Sequence, residues 1–171
     1  QDAKGLLASA INDPNPVLFF EHKELYRSIY EEVSDGYFTT EIGKAAVLKK
    51  GNHITIISYG AAVHWVLEAL EALLDISADV IDLRTLQPLD VETIYQSVRK
   101  TGKALLVQED SMFGGIASDI SALINENCFE FLDAPVKRVA SIDTPIPFQS
   151  DLEQLYSPLL FCLFLTEKRN F

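Results

Sequence analysis

The sequence predicts an α/β domain of three layers, α/β/α, in which helices cover both faces of a mostly parallel sheet. From about residue 44 onward, segments typical of strands alternate with segments typical of helices, and the links between them are short. This order of elements is the one that builds a parallel sheet. The strand segments are continuous apolar runs, such as ITII at 54–57 and ALLV at 104–107, rather than strict alternations of apolar and polar residues. Such runs indicate burial on both faces.

Two helices are predicted from their spacing and their end signals. The stretch AAVHWVLEALEALL at 61–74 has apolar residues at steps of three and four, which is typical of an amphipathic helix. The stretch DVETIYQSVRKTG at 90–102 begins with Asp90 as its N-cap and reaches Gly102 as its stop signal. Both helices would pack an apolar face on the sheet.

The remaining predicted elements are, in chain order, a helix at 2–11, a buried strand at 17–20, strands at 45–51, 53–60, 78–83, 104–110 and 136–141, and a helix at 114–128. The prolines of NDPNP at 12–16 end the first helix. The segment 21–43 is charged and aromatic without a regular period, so we expect it to lie on a protein surface rather than free in solvent. The last twenty residues predict a further helix that Pro158 interrupts or begins.

The composition argues against several classes of function. The 171 residues carry a formal net charge of −11 with a pI near 4.6, whereas binding of nucleic acid needs an excess of lysine and arginine. The longest apolar run, 159–165, is far shorter than the roughly 20 residues of a membrane-spanning helix. Cys128 and Cys162 are too few for a disulfide framework or a zinc site. We therefore expect a cytoplasmic protein without nucleic-acid or membrane binding, whose acidity suits a basic protein partner.

The start of the chain lies inside a predicted helix. It has no initiator methionine, and no signal peptide is evident. We therefore expect the sequence to be a piece of a longer chain.

Two glycine-containing turns are candidates for ligand contacts. Gly60 lies at a strand-to-helix turn, but a single glycine without a phosphate-binding motif favours a turn residue. The pair at 114–115 follows Glu109 and Asp110 at the end of a predicted strand. This pair either places helix amides beside a ligand or permits close packing.

The histidines do not form a metal site or a complete catalytic set. His22, His53 and His64 lie in separate contexts, without a further histidine or cysteine at metal-ligand spacing. His22, between two glutamates, is a conceivable general base, but no activated nucleophile accompanies it. His64 lies beside Trp65, where packing or an interface is favoured. The sequence by itself predicts no catalytic residue.

The turn DPNP at 13–16 is a candidate cation site. It combines exposed backbone carbonyls with a carboxylate and an amide, and hard oxygen atoms of this kind suit a cation. The alternative is a turn that only ends the preceding helix.

The stretch VIDLRTLQPLD at 80–90 resembles an active-site edge, because polar side chains follow a buried strand. We expect a structural or interface role instead. Arg84 and Thr85 should form hydrogen bonds, Pro88 should stiffen the turn, and Asp90 should cap the next helix.

Taken together, the motifs resemble the beta subunits of thiamine diphosphate-dependent 2-oxo acid dehydrogenases. The similar stretches, in family order, are KGLLASAINDPNPVLFFEHKELYR, VIDLRTLQPLDVETI, TGKALLVQED, GGIASDI and DAPVKRV, which span about residues 3 to 150. FFEHKELYR and GGIASDI look most like the branched-chain, or 2-oxoisovalerate, type. The pyruvate type is also similar. Another thiamine enzyme, such as a transketolase or deoxyxylulose-phosphate synthase, and a free-standing non-catalytic binding domain are the alternatives.

The resemblance implies a division of the chain. Residues 1–20 would be the remnant of a pyrimidine-binding domain, 21–43 a connecting segment, and 44–171 a transketolase C-terminal-type domain. The family's cofactor-activating glutamate and its proton-transferring histidine would both lie upstream. We therefore expect no catalytic and no cofactor-binding residue here, with thiamine diphosphate and Mg²⁺ bound only in the parent enzyme.

The resemblance also implies a cation and several partners. Ala10, Asp13 and Asn15 match part of a monovalent-cation site, which would hold K⁺ weakly in this piece. The expected partners are an alpha subunit or alpha-like half, a second beta subunit, and the lipoyl acyltransferase core. The terminal Phe171 resembles a docking residue for that core, although PLLFCLFLTEKR replaces the family's usual charged closing helix.

Overall fold

The computed structural model describes residues 1–149 and 151–153. Its helices are α1 (Asp2–Asn12), α2 (Leu25–Ser28), α3 (Ala61–Ala72), α4 (Val91–Thr101) and α5 (Ala117–Cys128), followed by a one-turn 3₁₀ helix (Phe129–Phe131). Its strands are β1 (Ala46–Lys49), β2 (Ile54–Ser58), β3 (Ala78–Asp82), β4 (Ala104–Ser111) and β5 (Lys137–Ser141).

The strands form one mixed sheet in the order β1-β3-β2-β4-β5. The strands β3, β2, β4 and β5 are parallel to one another, with Ile56 of β2 opposite Val80 of β3 and Leu105 of β4. Only the edge strand β1 is antiparallel, and it pairs with β3. The prediction of a mostly parallel sheet is therefore confirmed.

Two apolar clusters, one on each face, hold the helices to the sheet. On one face, residues of β2, β3 and β4 pack against α4 and α5; this cluster includes Ile57, Ile81, Leu106, Ile94, Val98, Ile120 and Ile124. On the other face, the alternate strand residues pack against α3; this cluster includes Ile56, Val80, Leu105, Val107, Ala62, Val66 and Leu70. Because successive strand residues point to opposite faces, continuous apolar runs supply both clusters. The predicted three-layer arrangement is confirmed.

The ends of α4 form as predicted. The Asp90 side chain accepts a hydrogen bond from the backbone amide of Thr93. Gly102 has the left-handed conformation, with φ 69°, and its amide donates to the carbonyl of Val98. Asp90 also accepts the amide of Ala45 at 3.1 Å, so this one carboxylate orders the start of α4 and the approach to β1.

The segment 17–20 is not the buried strand that its sequence predicts. It forms no strand, and its side chains are exposed; Leu18 and Phe20 retain 84% and 88% of their accessible surface. A strand needs a neighbour for its backbone hydrogen bonds, and the part of the chain that the structure describes pairs none with this segment.

The helix α5 begins at Ala117, three residues later than predicted. Gly114 adopts φ 79°, which places it in the turn rather than in the helix. Residues 154–171, with Pro158, Cys162 and Phe171 and most of the helix predicted for the last twenty residues, lie outside the described residues. Among the residues described, no helix has the length and hydrophobicity needed to span a bilayer.

Candidate functional site

The carboxyl ends of the four parallel strands meet at one edge of the sheet, the position at which open α/β sheets bind ligands. We call this region the carboxyl edge. It comprises Tyr59, Asp82, Glu109, Asp110 and Asp143, which end or follow β2 to β5. Four of these five side chains are carboxylates, so the region is strongly acidic.

Arg84 connects the carboxyl edge to α1. Its backbone has φ 56°, and its amide donates to Asp82 Oδ1 at 3.0 Å. Its guanidinium donates to Asp2 Oδ2, with Nε at 2.7 Å and the Nη2 atom at 2.6 Å. Arg84 is thus committed to two carboxylates from separate parts of the fold, which is the structural role expected from the sequence.

Thr85 adds two more contacts to the turn after β3. Its hydroxyl donates to the carbonyl of Pro88 at 3.1 Å and accepts the amide of Gly43 at 3.0 Å. The turn after β3 therefore binds the end of the connecting segment, while Arg84 binds α1.

Burial changes the acidity of two side chains at the carboxyl edge. Burial raises the pKa of Asp82, although the hydrogen bond from the Arg84 amide and the charge of its guanidinium act in the opposite direction. The pKa of the Tyr59 phenol is also raised, first by burial and then by the negative charges of Asp110 and Glu109. Both groups therefore favour their neutral forms relative to the same groups in water.

His22 pairs with Glu109 across the edge. The Nε2 atom of His22 lies 2.7 Å from Glu109 Oε2. The other ring nitrogen, Nδ1, is buried and has no hydrogen-bond partner among the described residues. A general base needs an accessible nitrogen next to the proton it removes, and neither nitrogen of this ring meets that condition. The pair is better suited to fastening the connecting segment to β4.

A third set of contacts fastens the connecting segment to α1. The amide of Thr40 donates to the carbonyl of Gly5 at 3.0 Å, and a Cβ at Gly5 would overlap Thr40 Oγ1. Lys4 donates to the carbonyl of Ser34 at 2.7 Å and lies 5.1 Å from the centre of the Phe38 ring. The segment is thus attached to α1 through Ser34, Phe38 and Thr40, whereas Tyr26, Tyr30 and Tyr37 stay exposed, contrary to the reason for which contact was predicted.

The turn that holds the predicted cation residues follows α1 directly. Ala10 lies in the last turn of the helix and Asp13 is its C-cap. Asp13 Oδ1 accepts hydrogen bonds from the backbone amide of Asn15 at 2.9 Å and from its side-chain amide at 3.0 Å. Pro14 has no amide hydrogen to donate to the carbonyl of Ala10, so that carbonyl lacks the usual helical donor. The structure thus brings the three residues into one turn.

The glycine pair is explained in part by packing. A Cβ at Gly115 would overlap the side-chain nitrogen of Gln108, which is fully buried. Gln108 donates to the carbonyl of Ser111 at 2.7 Å and accepts the amide of Ala117 at 2.8 Å, so it spans the turn between β4 and α5. Gly114 is exposed and has no neighbour at its missing Cβ. Close packing therefore accounts for Gly115.

The other two histidines, His53 and His64, do not form a metal site at the carboxyl edge. His53 Nδ1 accepts the amide of Ser77 at 3.2 Å, at the opposite end of β2. Trp65 packs against the apolar cluster between α3 and the sheet, and its neighbour His64 is half-buried. No group of three or more potential metal-ligating histidine, cysteine or acidic side chains occurs in the part of the chain that the structure describes.

Comparisons with known proteins agree with this architecture. Residues 43–159 match the family described as "Transketolase, C-terminal domain". The chain is 49% identical over 158 residues to the 2-oxoisovalerate dehydrogenase subunit beta of Bacillus subtilis (strain 168), covering 91% of this chain and 48% of the relative. It is 50% identical over 159 residues to the pyruvate dehydrogenase E1 component subunit beta of the same organism, covering 92% and 49%.

A solved structure described as "Split gene transketolase, inactive beta4 tetramer" is also similar. It matches with a TM-score of 0.62 and 28% identity, covering 80% of this chain and 45% of that one. The chain spans about half the length of the two relatives from Bacillus subtilis.

Proposed function

Because the chain belongs to the transketolase C-terminal domain family, we propose that it is the C-terminal part of the beta subunit of a 2-oxo acid dehydrogenase. The parent enzyme would decarboxylate a 2-oxo acid oxidatively and transfer the acyl group to a lipoyl arm. The observation that carries this proposal is identity of about half the residues, over more than nine-tenths of the chain, to two such beta subunits.

For the substrate we propose a branched 2-oxo acid, as in a 3-methyl-2-oxobutanoate dehydrogenase. The sequences FFEHKELYR at 19–27 and GGIASDI at 114–120, which resemble the branched-chain type most, support this choice. Pyruvate is the second candidate, because the two relatives are equally similar to the chain. In the complete enzyme, kcat/KM should be higher for 3-methyl-2-oxobutanoate than for pyruvate, and the reverse order would favour the second candidate.

We propose that this chain serves the assembly of that enzyme, and that the enzyme is cytoplasmic. The carboxyl edge does not fit thiamine diphosphate, because the carboxylates of Glu109, Asp110 and Asp143 would repel a diphosphate. Arg84, the cation that follows β3 at this edge, is already paired with Asp2. In the parent, thiamine diphosphate would supply the carbanion chemistry of decarboxylation from a site outside these residues.

Titration calorimetry with thiamine diphosphate and Mg²⁺ tests this assignment. The chain of 171 residues should give no binding heat at micromolar ligand, whereas the complete enzyme should bind. Micromolar affinity of the chain alone would show that the cofactor site lies within it, and the proposal would fail.

We also propose that Ala10, Asp13 and Asn15 form part of a site for K⁺. The donor set fits the ion, because it combines a carbonyl that lacks a helical donor with carboxylate and amide oxygens. Pro14, which follows α1, therefore leaves the carbonyl oxygen of Ala10 available to the cation. The upstream donors of the family's site would raise the affinity in the parent.

Thermal unfolding in potassium chloride against choline chloride at equal ionic strength tests this site. A ligand that binds only the folded state stabilises it by RT ln(1 + [L]/Kd), so Tm rises with the concentration of the ligand. We expect a small K⁺-specific rise that the Asn15→Ala variant loses, while Asn52→Ala, at an exposed position elsewhere, keeps it. Equal Tm values in both salts for the wild type would contradict the site.

The proposed partners are an alpha subunit or alpha-like half, a second beta subunit, and the acyltransferase core. The net charge of −11 favours a basic docking domain, and steering of this kind weakens with salt. Removal of Phe171 should weaken binding of that domain in surface plasmon resonance. Unchanged affinity would remove Phe171 from the docking surface.

A further inference from the structure

The connecting segment contains one turn whose chemistry the proposed function does not use. Asp35 and Gly36 are both exposed and lie outside every helix and strand of the described chain. Gly36 has φ 79°, and a Cβ added to it would meet no atom within 4 Å. In the complete sequence Asp35 is the one aspartate followed by glycine, and no asparagine is followed by glycine.

Neither reactive group of this turn is engaged elsewhere. Among the described residues, no hydrogen bond or ion pair involves the Asp35 carboxyl, and no hydrogen bond involves the Gly36 amide. Two other aspartates show the contrast. Asp143 is exposed but accepts the amide of Phe113 at 2.8 Å, and Asp13, which is half-buried, precedes a proline, which has no amide hydrogen. A free carboxyl next to an unhindered amide nitrogen is thus found at Asp35.

We propose that Asp35 is a site of spontaneous isomerisation to isoaspartate, through a succinimide formed with Gly36. The Gly36 amide nitrogen bonds to Cγ of the protonated Asp35 carboxyl; the bond from Cγ to the hydroxyl oxygen breaks, and water leaves with the amide proton. Water then adds across one of the two carbonyl–nitrogen bonds of the ring. Opening on the Cα carbonyl side leaves the main chain running through Cβ and Cγ. The mass is unchanged, and no oxidant or reductant takes part.

The fold permits this reaction because the turn is held at its flanks and free at its centre. Lys4 binds the carbonyl of Ser34 on one side and lies over the Phe38 ring on the other. Glycine adds no side chain next to the attacking nitrogen and tolerates the positive φ. Exposed turns of small and polar residues are also where the chain moves most freely toward the conformation for ring closure.

Isomerisation would change the attachment of the connecting segment to α1. It lengthens the backbone by one carbon between the two contacts of Lys4 and moves the free carboxylate onto Cα. The hydrogen bond from the Thr40 amide to the Gly5 carbonyl lies just beyond this turn. We therefore expect faster hydrogen exchange at the Thr40 amide in the isomerised protein. This inference does not depend on the proposed function.

Ageing of the folded chain in water enriched in heavy oxygen tests the proposal. After incubation at physiological temperature and pH, the peptide that contains Asp35 should take up heavy oxygen and separate into two forms. An isoaspartyl methyltransferase should label one form of that peptide. Peptides that contain Asp133, which is exposed and followed by alanine, should take up little.

Two variants make the test specific. Asp35→Glu keeps the charge but requires a larger ring, and Gly36→Ala places a methyl group beside the attacking nitrogen. Both should lose the uptake, while Gly60→Ala, at another exposed turn, should keep it. Heavy-oxygen uptake at Asp35 no greater than at Asp133, or uptake unchanged in both variants, would overturn the proposal. Unchanged exchange at Thr40 after isomerisation would overturn its structural consequence.

Discussion

Arg84 has a backbone conformation, φ 56°, that side chains other than glycine adopt at a cost. Its ion pair with Asp2 offsets that cost. Arg84→Ala would lose the ion pair and keep the strain, whereas Arg84→Gly would lose the ion pair and relieve the strain. We expect the glycine variant to be the more stable, by about 1 kcal/mol, in urea unfolding.

A helix position supplies the matched control for that comparison. At Glu126, exposed on α5, alanine should be more stable than glycine by about 1 kcal/mol. If Arg84→Ala were also more stable than Arg84→Gly, the positive φ of Arg84 would not strain the folded chain.

Asp79 is a buried carboxylate at the middle of a hydrogen-bonded network. It accepts the Gly51 amide at 2.7 Å, the Ser97 hydroxyl at 2.6 Å and the Lys100 ammonium. Burial alone raises the pKa of this carboxyl, but these three donors outweigh burial, so the pKa lies below its ordinary value of 3.8. The ionised carboxylate therefore stabilises the fold at pH values above the unfolded-state pKa. This contribution is lost as the pH falls through the folded-state pKa.

Asp79→Asn should accordingly lower the free energy of unfolding by about 2 kcal/mol at neutral pH. The difference from the wild type should shrink as the pH falls below the ordinary aspartate pKa. Urea unfolding across that range measures it. Glu68→Gln, which removes a carboxylate from the exposed face of α3, should have little effect at any pH. A difference for Asp79→Asn that stays constant with pH would contradict the assignment.

At the scale of the elements, local signals were sufficient for α4. The two contacts that define its ends, from Asp90 to Thr93 and from Gly102 to Val98, span three and four residues, so the sequence alone predicts both ends of the helix. The pairs that build the site are different, because Arg84 and Asp2 are 82 residues apart and His22 and Glu109 are 87 apart. No local pattern specifies such partners. The buried strand predicted at 17–20 was wrong for the same reason, since its burial depends on a neighbour and not on its own composition.

The turn between β4 and α5 depends on the fit of Gly115 against Gln108. Gly115→Ala would overlap the Gln108 side chain and the carbonyl of Ser111, which should destabilise the fold by about 1–3 kcal/mol. In a double-mutant cycle with Gln108→Ala, the combined loss should be smaller than the sum, because the two changes share one contact. Additive losses in urea unfolding would show that the overlap is not relieved by removing Gln108.

For the whole molecule, net charge and exposed apolar surface act in opposite directions. If residues 1–20 are the remnant of a larger domain, as the resemblance implies, Leu6, Leu7 and 17–20 should form an apolar patch. The structure leaves Leu7, Leu18 and Phe20 exposed. Contiguous apolar surface favours association, whereas a net charge of −11 opposes it. We expect the chain to self-associate with rising concentration, and more strongly at high salt, because salt screens the repulsion.

Sedimentation velocity over a wide concentration range measures this association. The double variant Leu18→Ser and Phe20→Ser should shift the profile toward monomer. Leu74→Ser, which changes a leucine that is 92% exposed after α3, should not. A strictly monomeric wild type at every concentration and salt would mean that this surface does not drive association. An equal shift with Leu74→Ser would place the contact elsewhere on the molecule. Loss of association in the double variant alone would identify 17–20 as part of the surface through which the chain self-associates.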